Sequence, residues 1–166
     1  MKKLRVDVGE LTFVMEMYDN YDSTNFLDTE TGEIVSVYKG LLMAIKRNGD
    51  KAAMDLPEWE KNVLDVAKRV YFNGNGRYQE IPRQEVFERH KLMGTFAKTV
   101  KNTQLREEIE NVLSDKFAFR KFLKFLFDHP EELKRWFMFK EERLQENIAE
   151  WLKSINVEPL REQQER

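Results

Sequence analysis

The feature that most constrains the fold is a long stretch of helical periodicity in the second half of the chain. From Pro82 onward, the spacing of apolar residues predicts four consecutive helices over about residues 83–100, 104–113, 116–127 and 130–154. On the last helix the apolar residues recur at about 100° per residue and form one stripe: Leu133, Trp136, Phe137, Leu144, Ile148, Trp151 and Ile155. A helix with such a stripe buries it against other elements, so the sequence predicts a packed helical part.

The first half of the chain combines helices with a short hairpin. Residues from Asp7 to about Tyr18 carry apolar side chains at helical spacing, which predicts a first helix. Two apolar runs at residues 25–27 and 34–38 flank the sequence DTETG, in which Gly32 suits the positive φ of a hairpin loop. The pattern therefore predicts an antiparallel hairpin near residues 23–38.

The segment between this hairpin and Pro82 is less regular. Pro57, at a first helical position, predicts a helix start, and the sequence Asn73-Gly74-Asn75-Gly76 predicts its end. Residues 77–81 could then add a third strand. Residues 40–55 fit either a short helix or an extension of the sheet, and the sequence leaves both open.

These patterns together predict an α+β fold with a small antiparallel sheet and a larger C-terminal helical part. We expect one domain over residues 1–158, followed by a frayed tail at residues 159–166. The length of 166 residues, with 41% hydrophobic and 35% charged residues, is typical of one folded domain rather than of a disordered chain.

Composition excludes several classes of function. The chain has no cysteine, which excludes disulfides, thiolate metal sites and cysteine nucleophiles. The 28 Lys and Arg against 30 Asp and Glu argue against a generally basic nucleic-acid-binding protein, although a local basic surface is compatible with them. No signal-peptide core follows Lys2 and Lys3, and no window approaches the roughly 20 apolar residues of a membrane span. These absences predict a cytoplasmic protein without a membrane partner.

The motifs of catalysis are also missing from the sequence. None of the four serines lies in a Gly-x-Ser-x-Gly motif, and no Gly-Lys-Ser/Thr follows the Gly-rich segment at 73–77. His90 shares a helical face with Met93 and Ala97, which favours a structural histidine in or beside the core. We therefore predict no catalytic residue, no cofactor and no metal ligand. The pattern favours a non-enzymatic protein, while an enzyme that uses carboxylates alone stays open.

One region is unusual in its aromatic and basic residues. Residues 117–140 hold eight aromatics, and residues 116–143 hold eight basic and five acidic side chains. On helix 116–127 the predicted core stripe consists of Phe119, Phe122, Leu123 and Leu126. Outside the core stripes, aromatic and basic residues form a candidate surface: Arg120, Lys121, Lys124, Phe125, Arg135 and Phe139. Such aromatics could pack in a core or a subunit contact, or could stack on bases.

Two functional hypotheses follow from this region. The first is a non-enzymatic protein-interaction module that docks a partner, or a second copy of itself, through its aromatic-rich C-terminal helices. The second is binding of single-stranded nucleic acid, such as RNA, through the basic and aromatic face of residues 116–143.

Several segments also carry a family resemblance. They are FLDTETGEIV at 26–35, IP at 81–82, LMGTFAKTV at 92–100, FAFRKFLKFL at 117–126 and ERLQENIAEWLKSINVEP at 142–159. In this order they resemble the bacterial uncharacterised protein family number one-five-eight of the UPF series. The resemblance implies that family's fold and a cytosolic bacterial setting. It implies no activity and no catalytic residues.

Overall fold

The computed structural model describes residues 1–16, 22–49, 57–84 and 86–160. The chain divides into two compact units. Unit 1 consists of Met1–Arg83 together with Ile148–Arg166, and unit 2 consists of Gln84–Asn147. Whether these two units form the single domain expected over residues 1–158 depends on how they pack together, so that expectation stays a prediction.

Unit 1 contains the strands and the first three helices. Its elements are β1 (Lys2–Leu4), α1 (Val8–Glu16), β2 (Ser23–Asp28), β3 (Ile34–Tyr38), α2 (Lys39–Asn48), α3 (Glu58–Tyr71), β4 (Tyr78–Glu80), the end of α7 (Pro130–Ser154) and β5 (Val157–Pro159). The part of the predicted first helix beyond Glu16 and the segment 50–56 lie outside the described residues.

The predicted hairpin and third strand are both confirmed. β2 pairs antiparallel with β3 and with β4, so the strand order is β3-β2-β4. Side chains alternate across a strand, and accordingly Leu27 packs into one apolar cluster while its neighbour Phe26 packs against another. Gly32 has the positive φ expected in the loop, at 84°.

The sequence left open whether residues 40–55 form a short helix or extend the sheet, and the structure answers this for residues 40–48. Residues 39–48 form the helix α2 rather than an extension of the sheet. Ile45 of α2 is buried with Val37 of β3 and with Leu64 of α3. Apolar contacts therefore hold α2 against β3 and α3.

A second, parallel sheet of two short strands was not predicted. β1 pairs with β5, with Lys2 opposite Val157 and Leu4 opposite Pro159. The Leu160 N–H donates to the Leu4 carbonyl oxygen over 2.8 Å. Residues 159 and 160 of the expected frayed tail thus make backbone contacts, while residues 161–166 lie outside the described part.

Unit 2 contains the C-terminal helices, and the prediction of four helices is confirmed. They are α4 (Val86–Ala97), α5 (Thr103–Leu113), α6 (Ala118–Phe127) and α7, whose residues up to Asn147 belong to this unit. Side-chain capping explains the start of α5, where the Asn102 side chain accepts the Leu105 N–H. In the turn before α6, the Asp115 side chain accepts the N–H of Phe117.

The core of unit 2 is built around aromatic rings. Trp136 of α7 is fully buried, with its ring centroid 4.8 Å from that of Phe122 on α6 and 5.4 Å from that of Phe96 on α4. Both contacts are edge-to-face, the arrangement that aromatic quadrupoles favour. The structure therefore confirms the predicted α+β class, with a small antiparallel sheet and a helical C-terminal part.

Candidate functional site

The six candidate residues all lie on helices of unit 2, four on α6 and two on α7. Their environments differ. The two aromatic residues are half-buried and the four cations are exposed, but two of these cations are held by neighbouring groups.

Phe125 and Phe139 pack against the core of unit 2. The Phe125 ring stacks on His129, with the centroids 4.6 Å apart and the planes at 26°. The Phe139 ring centroid lies 5.6 Å from that of Phe96 and 6.4 Å from that of Trp136. These contacts correspond to the packing interpretation that the sequence allowed for both rings.

Lys121 and Arg135 are engaged in structural contacts. The Lys121 ammonium donates to the Asp115 carboxylate and holds the pKa of that carboxyl below its usual value. Arg135 donates from Nη2 to the Thr99 carbonyl oxygen over 3.1 Å and to its Oγ1 over 3.0 Å. Thr99 follows the end of α4, so Arg135 ties α7 to the turn after that helix.

Arg120 and Lys124 are exposed, and neither makes a hydrogen bond or an ion pair with another described residue. They border a shallow groove of about 480 Å³, which we name the α6 groove: Phe119, Arg120, Leu123, Lys124 and Phe127. Its apolar residues are four positions apart and therefore form one row along the helix. No carboxylate lines it.

The geometry of α6 explains why this row is only partly covered. Phe122 and Leu126 face the core and are fully buried. Phe119 and Leu123 are half-buried, and Phe127 at the end of the helix is 66% exposed. The sequence placed Phe119 and Leu123 in the core stripe and missed Phe127. The spacing of four residues from Phe119 to Leu123 and from Leu123 to Phe127 was the signal in the sequence that could have placed Phe127 in this row.

Unit 1 contains a cluster of paired charged side chains beside the DTETG loop, which sequence analysis missed. Asp28 at the end of β2 accepts Arg77 Nε–H at 2.8 Å and Nη2–H at 2.6 Å, and Arg77 Nη1 also lies 2.9 Å from Glu30. The hydrogen bonds from Arg77 lower the pKa of Asp28 to about 2, more than burial raises it. The Thr29 N–H and hydroxyl both donate to the Arg77 carbonyl oxygen.

Comparison with known proteins then identifies the chain's family. The model of the uncharacterised protein family UPF0158 matches residues 12–165. The chain belongs to this family. The resemblance seen in the sequence is confirmed.

The UPF0158 relatives come from several bacteria. A UPF0158 protein of Chlamydia pneumoniae is 35% identical over 102 residues, which is 61% of this chain and 31% of the relative. One from Chlamydia trachomatis is 34% identical over the same shares of the two chains. One from Pseudomonas aeruginosa is 22% identical over 98% of this chain and 91% of the relative. The match thus spans about a third of the length of the chlamydial relatives, and no solved structure matches.

Within the described residues, this UPF0158 chain shows neither a group of His, Asp and Glu side chains that could hold a metal ion nor a helix long and apolar enough to cross a membrane. The ring of His90 is placed by the Leu113 carbonyl oxygen, 2.9 Å from Nε2, although the residue is exposed rather than in the core.

Proposed function

We propose that this chain is a non-enzymatic protein-interaction module and that the α6 groove receives a helical segment of a partner protein. The observation that supports this most is the exposure of Phe127 at the end of a continuous apolar row, next to the two exposed cations Arg120 and Lys124. An apolar row flanked by charge is the usual form of a helix-binding surface.

Burial of Phe127 supplies part of the binding free energy. Covering a phenylalanine side chain completely is worth about 1.5–3 kcal/mol. Because Phe127 is 66% exposed, a partner that covers it gains about 1–2 kcal/mol from this ring. The half-buried Phe119 and Leu123 add further apolar area. Phe119 is held in place by the Arg89 guanidinium, which lies 3.9 Å from its ring centroid.

The two cations indicate the chemistry of the partner. Arg120 and Lys124 are one helical turn apart, and the lining of the groove has no acidic residue. An amphipathic helix that carries carboxylates one turn apart beside its apolar face can pair with both. The proposed occupant is therefore an acidic amphipathic helix of another protein, and a second copy of this chain is an alternative that the test distinguishes.

Nucleic-acid binding through residues 116–143 has less support. It relied on Phe125 and Phe139 for stacking, and both rings pack on the core or on His129. Lys121 and Arg135 hold Asp115 and Thr99. Of the four cations named for that surface, Arg120 and Lys124 are the two without such a contact in the described residues.

A displayed library of amphipathic helical peptides tests the proposal. We expect selection on the full chain to enrich peptides with acidic residues one turn apart beside an apolar face. Phe127→Ala should weaken binding of a selected peptide about fivefold to thirtyfold, as loss of about 1–2 kcal/mol would do. Arg120→Glu with Lys124→Glu should weaken it further, and fluorescence anisotropy measures both.

The matched control is Phe137→Ala, the same truncation of an exposed phenylalanine on α7 outside the groove. Binding that Phe127→Ala leaves unchanged, or that Phe137→Ala weakens equally, contradicts the proposal. So does concentration-dependent dimerisation abolished by Phe127→Ala, which would assign the groove to a second copy. Sedimentation velocity detects that outcome.

A further inference from the structure

The antiparallel sheet of unit 1 has an edge strand whose outer side is unpaired among the described residues. β3 pairs with β2 on one side, and no described strand lies on the other. At the two ends of β3, the Glu33 carbonyl oxygen and the Lys39 N–H both bond to the β2 side. Because bonded and outward residues alternate along an antiparallel strand, the N–H groups of Ile34, Ser36 and Tyr38 point away from β2. No described residue accepts a hydrogen bond from them.

We propose that this outer side, which we name the β3 edge, pairs with the β3 edge of a second copy of the chain. Two three-stranded sheets then join into one continuous sheet. The proposal concerns unit 1 and is independent of the α6 groove. An unpaired strand edge is a template for a further strand, and proteins that keep such an edge single protect it with charged residues or proline. The β3 sequence, Ile-Val-Ser-Val-Tyr, contains neither.

The other described edge strands carry such protection. β4, at the opposite edge of the same sheet, has three residues and ends in Glu80. In the second sheet, β1 contains Lys2 and Lys3, and β5 contains Pro159. Of the edge strands in the described part of the chain, β3 is therefore the longest and has neither a charge nor a proline.

The sequence of β3 is complementary to itself. Antiparallel pairing about Ser36 places Ile34 opposite Tyr38 of the second copy. It also places Val35 opposite Val37 of the second copy, and pairs of branched and aromatic side chains stabilise sheets. Ser36 of each copy then exchanges backbone hydrogen bonds with Ser36 of the other, and the Tyr38 N–H donates to the Ile34 carbonyl oxygen. The contact is the same from both sides, as a twofold-symmetric dimer requires.

Charge complementarity favours a second copy as the occupant over an unrelated strand. Glu33 and Lys39 stand three residues before and three residues after Ser36. Symmetric pairing therefore places the Glu33 carboxylate of each copy beside the Lys39 ammonium of the other. Both side chains are exposed, and neither makes an ion pair with another described residue. Within one chain the two residues are about 20 Å apart along the strand, too far to pair with each other.

The β3 edge is accessible. Tyr38 is 60% exposed, and Ser36 is exposed as well. The helices α2 and α3 pack on the face of the sheet to which Val37 points, whereas the outward hydrogen-bonding groups lie in the plane of the sheet. Addition of a strand in that plane therefore leaves the packing of Val37 against both helices intact.

The test is sedimentation velocity of the full chain between about 1 and 500 µM. Pairing of two five-residue strands buries less area than a standard interface, so we expect a reversible dimer that becomes populated as the concentration rises. Tyr38→Pro should weaken dimerisation at least about tenfold, because it removes a hydrogen-bond donor from each copy and places its ring where the second strand would lie. The φ of Tyr38 is −66°, the value that proline requires, so this variant keeps the fold.

Charge reversal tests the register of the pairing. Glu33→Lys should weaken dimerisation at least about threefold at low salt, because like charges then meet at both ends of the paired strands. Adding Lys39→Glu should restore the affinity to within about twofold of wild type, a rescue that no contact within one chain explains. The matched control is Glu80→Lys, which makes the same reversal at the opposite edge of the sheet and should change the affinity less than about twofold.

A chain that stays monomeric over this concentration range overturns the proposal. Dimerisation that Tyr38→Pro leaves unchanged, or that Glu80→Lys weakens as much as Glu33→Lys does, also overturns it. Loss of the dimer in Phe127→Ala alone assigns the contact to the α6 groove instead. Hydrogen exchange of the wild-type chain needs no variant: the Ser36 and Tyr38 amides should exchange more slowly at high concentration, and exchange that is independent of concentration contradicts the pairing.

Discussion

The ion pair between Asp28 and Arg77 makes a quantitative prediction about stability. Asp28 is 4% exposed and accepts two hydrogen bonds from Arg77 and one from the Glu30 N–H. These contacts lower its pKa from the ordinary value of 3.8 to about 2. One pKa unit corresponds to about 1.36 kcal/mol, so the ionised carboxyl contributes about 2 kcal/mol to the free energy of unfolding at neutral pH.

Asp28→Asn keeps the shape of the side chain but removes its charge. We expect the variant to lose at least about 2 kcal/mol of unfolding free energy at pH 7, because an amide nitrogen cannot accept the second Arg77 hydrogen bond. A carboxyl whose pKa is lower in the folded state than in the unfolded state contributes its full stabilisation at pH values above its unfolded-state pKa. That contribution is lost as the pH falls through its folded-state pKa. The difference between wild type and Asp28→Asn should therefore shrink between about pH 4 and pH 2.

Urea unfolding followed by circular dichroism across this pH range measures the difference. Glu30→Gln is the control, because Glu30 pairs with the same guanidinium but is 51% exposed and should cost less than about 1 kcal/mol. The reasoning is refuted if the two variants lose equal stability at pH 7. It is also refuted if the difference between wild type and Asp28→Asn stays constant down to pH 2.

Three further substitutions have defined outcomes by thermal unfolding with circular dichroism. Gly32→Ala should cost at least about 2 kcal/mol, since φ is 84° and an added Cβ lies 1.9 Å from the Arg5 carbonyl oxygen; a loss below about 0.5 kcal/mol contradicts the geometry. Gly94→Ala should instead gain up to about 1 kcal/mol, because the site is helical and, apart from its chain neighbours and the backbone of its own helix, no atom lies within 4 Å of the new Cβ; a loss would contradict this. Trp136→Ala should cost about 3–5 kcal/mol as a fully buried ring is removed, and a loss below about 1 kcal/mol would show that the ring is not in the core.

The helices were predictable because each carries its own pattern. A helix such as α7 repeats its apolar spacing over several turns, so its bounds at Pro130 and Ser154 follow from the sequence alone. β1 and β5 have three residues each, too few for any periodicity. Their pairing depends on a partner from the other end of the chain, and local sequence does not contain that information.

The surface of the C-terminal helices was predictable only in part. A helical wheel shows which residues lie opposite the core stripe of one helix, but not which neighbouring element covers them. Phe139 lies off the main stripe of α7 and is nevertheless packed on Phe96 of α4. Lys121 reaches Asp115 in the turn before its own helix. Only the packed structure shows that Arg120 and Lys124 are left without such partners among the described residues.

The charged group in unit 1 was missed for a related reason. The DTETG sequence indicated a hairpin loop, and Arg77 stood in a Gly-rich turn far along the chain. Nothing in either segment specifies that Asp28 and Arg77 meet. Their contact follows from the register of β2 with β4, which places Asp28 opposite Tyr78.

The pairing of β1 with β5 has a consequence for synthesis on the ribosome. The core around Leu4 and Leu27 also contains Ile148, Leu152 and Val157, which are translated after the whole of unit 2. At about 5–20 residues per second, the N-terminal part waits several seconds for these side chains. The helical unit, whose residues are contiguous, can complete its own core first, so unit 1 is finished after unit 2 although its synthesis begins earlier.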